Sequence, residues 1–162
     1  MKTNQKAIFI FDLDDTLFDT TGQLDETYKN LPNINSFPDT IPTLKNINAI
    51  KILVSSGDRK IQEEKIRILK IKHYFTEIII CGTHEQKKEI FENIIKKYST
   101  RPTDCWVIGD RINVEIRYGN MLGMNTVHMH HGKHKDIKPQ DKFDKPMHTI
   151  KKLSELNTLC KQ

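Results

Sequence analysis

The chain has 162 residues, enough for one core of ordinary size and too few for two comfortable domains. With 36% apolar and 29% charged residues it reads as a soluble globular protein, and its net charge of +5 is spread among acidic neighbours. That distribution makes nucleic-acid binding unlikely on charge grounds and suits attraction of an anionic substrate equally well.

Cys81, Cys105 and Cys160 are odd in number and two fall in apparent strands, so they read as reduced core thiols of a cytoplasmic protein. Lys2 and Lys6 precede an apolar stretch that Asp12 cuts after about five residues, too short for a signal peptide or a membrane span.

From Ala7 to Leu17 the chain reads Ala-Ile-Phe-Ile-Phe-Asp-Leu-Asp-Asp-Thr-Leu, an apolar run that ends in three carboxylates. Such a run predicts a strand buried on both faces, as in a parallel sheet covered by helices. Alternation along an extended backbone points Asp12 and Asp14 the same way and Leu13 into the other layer. Carboxylates crowded at the end of a buried strand repel unless one is protonated or a cation sits among them, and a hard divalent metal suits oxygen ligands. The carboxyl end of the strands is also where open α/β sheets bind ligands.

Phe18 to Ser36 is polar and irregular, with a helical turn predicted around Asp25 to Leu31. Pro38-Asp39-Thr40-Ile41-Pro42 signals a helix start, and the helix is predicted to run through Ile50. Lys51 to Val54 is a second strand, closed by Ser55-Ser56-Gly57-Asp58. An amphipathic helix with Ile61, Ile66 and Leu69 on one face follows to about Ile71. Next come a strand at Thr76 to Cys81, a second amphipathic helix at Glu85 to Tyr98, and a strand at Cys105 to Ile108 closed by Gly109-Asp110. A helix through about Leu122, a strand at Asn125 to Met129 and a helix from about Ile150 to Leu159 complete the alternation. Strands and helices alternating in this way predict an α/β fold, a three-layer, Rossmann-like, mostly parallel sheet with right-handed crossovers, in one domain over residues 1–162.

The first of these strings, Asp12-Leu13-Asp14-Asp15-Thr16-Leu17 behind four apolar residues, resembles the opening motif of the haloacid dehalogenase (HAD) superfamily. Cys105-Trp-Val-Ile-Gly-Asp-Arg-Ile-Asn-Val-Glu115 is similar to the family's strand, Gly-Asp and second acid, and Gly119 to Met124 to its Gly-containing helix and turn. The resemblance covers roughly Ala7 to Leu159 and implies a HAD-like fold and a phosphatase requiring Mg2+.

In chemical terms Asp12 is the candidate nucleophile, forming an aspartyl-phosphate, and Asp14 the candidate general acid and later base. The resemblance implies the same roles and adds metal ligation by the Asp12 side chain, the Asp14 backbone carbonyl and Asp110. Glu115, where the family more often has Asp, would act through water or orient Asp110. It also implies that Ser55, with Ser56 as the alternate register, hydrogen-bonds the phosphoryl group, and that Lys87, with Lys88 as the weaker match, neutralises it. Thr16, Ser56 and Gly57 are assigned to substrate binding. The stretch Lys65 to Ile80 joins motifs without carrying chemistry.

His128, His130, His131 and His134 form a cluster that reads either as a transition-metal site or as part of a solvated loop rich in Gly and Lys. Two other functions compete with a phosphomonoesterase: a phosphotransfer or receiver-like signalling module, and a catalytically silent phosphate-binding protein on the same fold. The receiver would lack the acid two residues after the nucleophile and the Gly-Asp of the fourth strand. Residues 18–37 are too few for a separate core and are expected to stand in place of a cap, leaving an open site. Such a site either admits a bulky phosphorylated partner or is closed by a neighbouring subunit of a homo-oligomer.

Overall fold

The computed structural model describes residues 6–159, so Lys2 and Cys160 lie outside the described residues. The first apolar run forms β1 (Ile8–Phe11), buried at every position. After it come α1 (Thr20–Gln23), α2 (Thr40–Asn46), β2 (Ile50–Ser56), α3 (Arg59–Ile68), β3 (Glu77–Cys81), α4 (Gln86–Lys97) and β4 (Cys105–Gly109). A π-helical turn (Ile112–Ile116) then runs into α5 (Arg117–Met121), followed by β5 (Asn125–Met129), β6 (His148–Ile150) and α6 (Leu156–Leu159). Among the described residues no helix is long and apolar enough to cross a membrane.

The six strands form one sheet in the order β3-β2-β1-β4-β5-β6, every neighbouring pair parallel. Parallel neighbours require crossovers, and the crossovers cover both faces, which is why the central β1 and β4 are almost wholly apolar and do not alternate with polar residues. Phe9 and Phe11 join Leu53, Ile108 and Val127 on one face, under Leu44 of α2, Ile66 of α3 and Leu156 of α6. Ile8 and Ile10 join Ile52, Val54 and Val107 on the other, under Phe91 and Ile94 of α4. The predicted three-layer α/β architecture is the one found.

Strand order reverses at β1, whose neighbours β2 and β4 lead to opposite edges of the sheet. Crevices outside the carboxyl ends of strands open at such a reversal. The Asp12 amide donates to the Ile108 carbonyl at 2.9 Å, extending the β1–β4 ladder one residue past the strand. Asp12 and Asp110 therefore leave the sheet from neighbouring strands at the reversal.

Two predicted elements differ and a third is found. The helix expected from Ile150 is preceded by a strand instead: β6 pairs with β5 through Val127 and His148, His128 and Thr149, and Met129 and Ile150. Three residues are too short a run for a period of two to show against a helical one. The expected helical turn around Asp25 to Leu31 is found as two successive hydrogen-bonded turns, the Tyr28 amide donating to the Asp25 carbonyl at 3.2 Å and the Leu31 amide to the Tyr28 carbonyl at 3.1 Å, and the helical residues of that segment are α1 and a single turn at Leu31–Asn33. The helix begun at Pro38 to Pro42 stops at Asn46, and the following extended chain leads into β2. Its cap residue Asp39 does not cap: Oδ2 accepts from the Ser154 amide at 2.8 Å and ties the C-terminal segment to α2.

Candidate active site

Asp12 is buried at the end of β1, and its Oδ1 accepts from Lys87 Nζ at 2.7 Å. Lys87 comes from the first turn of α4 and is only 1% exposed; the same ammonium donates to Glu115 Oε1 at 2.5 Å. Lys88, one position on, is a surface residue 3.8 Å from Glu92. Of the two candidate lysines, the one facing Asp12 is thus Lys87.

Glu115 lies on the π-helical turn, a rare conformation often found at functional sites. Its carboxylate reaches back over Gly109, where an added Cβ would stand 2.5 Å from Glu115 Cγ. Glycine before Asp110 is therefore a packing requirement. Glu115 Oε2 also accepts from the Arg111 amide at 3.3 Å, which closes the turn around Asp110.

Asp12, Asp110 and Glu115 are all buried and each places a carboxylate oxygen within 4.8 Å of the others. Burial raises the Asp12 carboxyl to about 7; Lys87 opposes the rise, and Glu115 and Asp14 add to it. Burial, with Asp12, Glu115 and Asp15 adding, pushes Asp110 up to about 10. For Lys87 burial works against the charge, but Asp12 and Glu115 outweigh it and hold its pKa above the ordinary value. Three carboxylates against one ammonium leave a deficit of positive charge in a site sheltered from water. An all-oxygen donor set with that deficit fits a hard divalent cation such as Mg2+.

Asp14 does not share this cluster through its side chain. Oδ1 accepts from Lys65 Nζ at 2.7 Å and Thr20 Oγ1 at 2.9 Å, and Oδ2 accepts from Gln62 Nε2 at 2.8 Å. The expectation that Lys65 to Ile80 carries no chemistry is corrected at its first residue: Lys65 is 3% exposed, holds Asp14 and stacks its ammonium against Phe18 and Tyr28. A charge within an amphipathic α3 gave no sign of this, because its partner lies 51 residues away in sequence. Gln62 was missed for the same reason; besides Asp14 it holds Ser55 Oγ at 2.5 Å.

A cleft of about 430 Å3 opens above these groups, lined by Asp12, Asp14, Asp110 and Ser56 and walled by Thr20 and Tyr28 of the segment after β1. Ser55 is fully buried, whereas Ser56 lines the cleft, its hydroxyl bonded to His84 Nδ1 at 2.6 Å. Thr16 is also fully buried, its Oγ1 without a hydrogen-bond partner, and it does not line the cleft. The Gly57 amide is committed to the Cys81 carbonyl at 2.9 Å. Ser56 is thus the one of the three residues assigned to substrate binding that the structure brings to the cleft.

The four histidines do not form one cluster among the described residues, although His128 and His130 meet edge to face with ring centroids 5.7 Å apart. His128 is buried, with Nε2 3.0 Å from the Asp110 carbonyl; His131 Nε2 lies 2.8 Å from Asp19 Oδ1; His134 lines the cleft. Burial lowers the pKa of His128, with His130 adding, against the bond to Asp110. His131 stands with Asp15 and Asp19 in a second group of polar side chains. This group joins the loop at Gly132 to the segment after β1: the Lys133 amide donates to Thr21 Oγ1, whose hydroxyl donates to Asp15.

A parallel sheet reversing at an Asp-bearing strand, with a lysine and two further acids gathered there, defines an α/β protein with a buried acidic site at the carboxyl ends of its strands. Residues 32–123 match the family described as haloacid dehalogenase-like hydrolase, and the chain belongs to that family. The glyceraldehyde 3-phosphate phosphatase of Methanopyrus kandleri is 32% identical over 129 residues, covering 76% of this chain and 55% of the relative. The enzyme of the same name from Methanocaldococcus jannaschii is 29% identical over 150 residues, covering 88% and 64%. The N-acylneuraminate-9-phosphatase of Mus musculus is 32% identical over 78 residues, covering 46% and 32%. The chain thus spans 55% and 64% of the lengths of the two archaeal relatives.

Among solved structures, a HAD-hydrolase of Bacillus subtilis bound to magnesium superposes with a TM-score of 0.75 at 15% identity, covering 98% of this chain and 100% of that one. The 2-haloacid dehalogenase of Pseudomonas syringae gives 0.72 at 14%, covering 96% and 98%. At these identities the likeness is one of fold.

Proposed function

We propose that the protein is a Mg2+-dependent phosphatase that hydrolyses phosphomonoesters through an aspartyl-phosphate on Asp12. The observation that carries this reading is the Asp12 carboxylate at the floor of an open cleft, paired with a buried lysine and flanked by Asp110 and Glu115. Asp12, Asp110 and Glu115 would hold the metal, which would neutralise phosphoryl oxygens and the carboxylate cluster together.

Asp12 attacks phosphorus, forming the P–O bond of the acyl phosphate as the bond to the leaving oxygen breaks, and Asp14 supplies the proton that oxygen needs. Water then attacks the phosphorus, Asp14 takes its proton, and Asp12 leaves as carboxylate with inorganic phosphate as product. Lys87 offsets negative charge on Asp12 throughout, in surroundings where such an offset is worth far more than in water. Donors on both Asp14 oxygens are the arrangement of a carboxylate, so the base half of its role is prepared. The acid half requires a proton and release from Lys65.

The segment 18–37 walls the cleft and stands in place of a cap, and residues 1–162 act as one catalytic domain. Buried free thiols at Cys81 and Cys105 suit a reducing compartment, and we place the protein in the cytoplasm. The relatives' names supply two small phosphorylated metabolites as the first substrates to try. Hydrolysis of p-nitrophenyl phosphate should require Mg2+ and stop in chelator, with phosphate trapped on the wild-type protein and not on Asp12→Asn. Activity undiminished by chelator would overturn the mechanism.

A further inference from the structure

The chain has five arginines. Four pair with carboxylates: Arg59 with Glu63, Arg67 with Glu64, Arg101 with Asp104, and Arg117 with Asp141 and Asp144. Arg111 pairs with none among the described residues, and it is the arginine that lines the catalytic cleft. Glu85 feels its charge at a distance without forming an ion pair. An unpaired guanidinium in a cleft offers a planar fork of donors suited to carboxylate or phosphate.

That fork is held in place. Arg111 Nη1 lies 2.6 Å from His84 Nε2, while its Nε is buried without a hydrogen-bond partner. A guanidinium only donates, so His84 Nε2 is the acceptor, the ring is neutral, and the proton sits on Nδ1. Nδ1 then donates to Ser56 Oγ, 2.6 Å away, and the Ser56 hydroxyl keeps its own proton for the cleft. Ser56 ends β2, and His84 and Arg111 lie in the loops after β3 and β4, yet one chain of hydrogen bonds joins them and leaves the guanidinium and the Ser56 hydroxyl as donors. Lys133 and His134 line the cleft as well, whereas the segment after β1 contributes Asp25 and Glu26.

We propose that Arg111, oriented by His84, is a specificity residue that selects phosphomonoesters whose leaving group carries a second anionic oxygen group, a carboxylate or a further phosphate. This deepens the phosphatase reading and rests on it. Apart from Asp12, Asp14, Asp15 and Asp110 at the strand ends, the cleft's acids Asp25 and Glu26 lie on the segment after β1, and Lys65 is already paired with Asp14, so a second anion has its complement beside Arg111.

The test compares matched esters with the Mg2+-loaded protein: phosphoglycolate and ethylene glycol bisphosphate against 2-hydroxyethyl phosphate. A charge-assisted contact of this kind predicts about a 10- to 100-fold preference in kcat/KM for one or both esters with an anionic tail, carried mainly by KM. Whichever ester gains more identifies the second anion as carboxylate or phosphate. Arg111→Met should bring the ratios close to one and Arg111→Lys should restore part of the preference, because charge returns without the fork. His84→Gln, which keeps an acceptor for Arg111, should retain selectivity that His84→Leu loses. The histidine pair of variants carries the test if Arg111→Met does not fold by circular dichroism.

Failure of the wild type to hydrolyse any of these esters, or p-nitrophenyl phosphate, would overturn the phosphatase reading and this inference together. Hydrolysis of all with no preference for the anionic esters, or a preference unchanged in Arg111→Met and His84→Leu, would overturn the inference alone.

Discussion

Replacing Lys87 by Met keeps most of the side-chain length and removes the charge from a place with almost no water to substitute for it. The ammonium lies 2.7 Å from Asp12 Oδ1 and 2.5 Å from Glu115 Oε1, with Lys87 1% exposed. Removing one partner of a buried ion pair costs about 3–5 kcal/mol, because the remaining charges stay buried and uncompensated. Set against a total stability of about 5–15 kcal/mol, that loss would be plain in urea unfolding followed in chelator, as a lower midpoint with an unchanged slope. Mg2+ at about one hundred times its Kd should return about 2.7 kcal/mol to either protein, provided it binds only the folded state. Phosphatase activity should not return with it, and kcat should stay down by about 10²- to 10³-fold, the usual cost of losing one charge-stabilising group. Lys88→Met is the control, since exposed helix pairs contribute about 0.3–0.5 kcal/mol. A Lys87→Met protein within about 1 kcal/mol of wild type in chelator, or within tenfold in activity, would refute the assignment of Lys87 as counter-ion, since both fall well below the costs expected for such a group.

Asp14→Asn should lose much more activity on alkyl phosphates than on p-nitrophenyl phosphate, whose leaving oxygen needs no proton; equal losses in steady-state kinetics would contradict the acid role. Gly109→Ala should displace Glu115, costing about 1–3 kcal/mol in urea unfolding and weakening the stabilisation by Mg2+, because its Cβ would stand 2.5 Å from Glu115 Cγ. Cys105, whose thiol burial pushes up to about 11, stays protonated through neutral and mildly alkaline pH, and its thiolate fraction rises only towards pH 11. Iodoacetamide labelling mapped by mass spectrometry should therefore leave Cys105 unmodified in the native protein at pH 8, and rapid labelling there would show that the strand is not closed.

The strands were legible because buried parallel strands are short, mostly apolar and β-branched runs closed by turn residues, and β1, β2, β4 and β5 are found within a residue or two of where the pattern puts them. The short β6 was not, since its place is set by pairing to β5 and not by any period of its own. At the site, Asp12, Asp110, Glu115 and Lys87 were legible through motif spacing tied to strand ends, and the structure gathers them. The same spacing put Thr16 and Gly57 at the phosphate, but a residue one step around a turn faces the core or spends its amide on a neighbouring strand. Lys65, Gln62, His84 and Arg111 left no local signal. Each is a polar residue on a helix or loop, the commonest surface pattern, and becomes distinctive only when the fold supplies partners remote in sequence.

The two halves of the site are held by different kinds of force, and this bears on what each can change. Asp12 and Asp110 directly follow β1 and β4, Lys87 lies on α4 and Glu115 on the π-helical turn, and none is more than 7% exposed. Burial on that scale fixes their positions before substrate arrives, which is the condition for electrostatic stabilisation without reorganisation. The wall formed by the segment after β1 has no such support at α1, where no residue is buried. It is held by Thr20 on Asp14, by Thr21 on Asp15 and by Asp19 on His131 at 2.8 Å, polar contacts that are partly open to water. Elements with few buried apolar contacts open at low free-energy cost. Substitutions at the exposed Asp25 and Glu26 of that wall therefore reshape the cleft while leaving the buried Asp12 group in place, whereas Thr20 and Thr21 bond Asp14 and Asp15 directly.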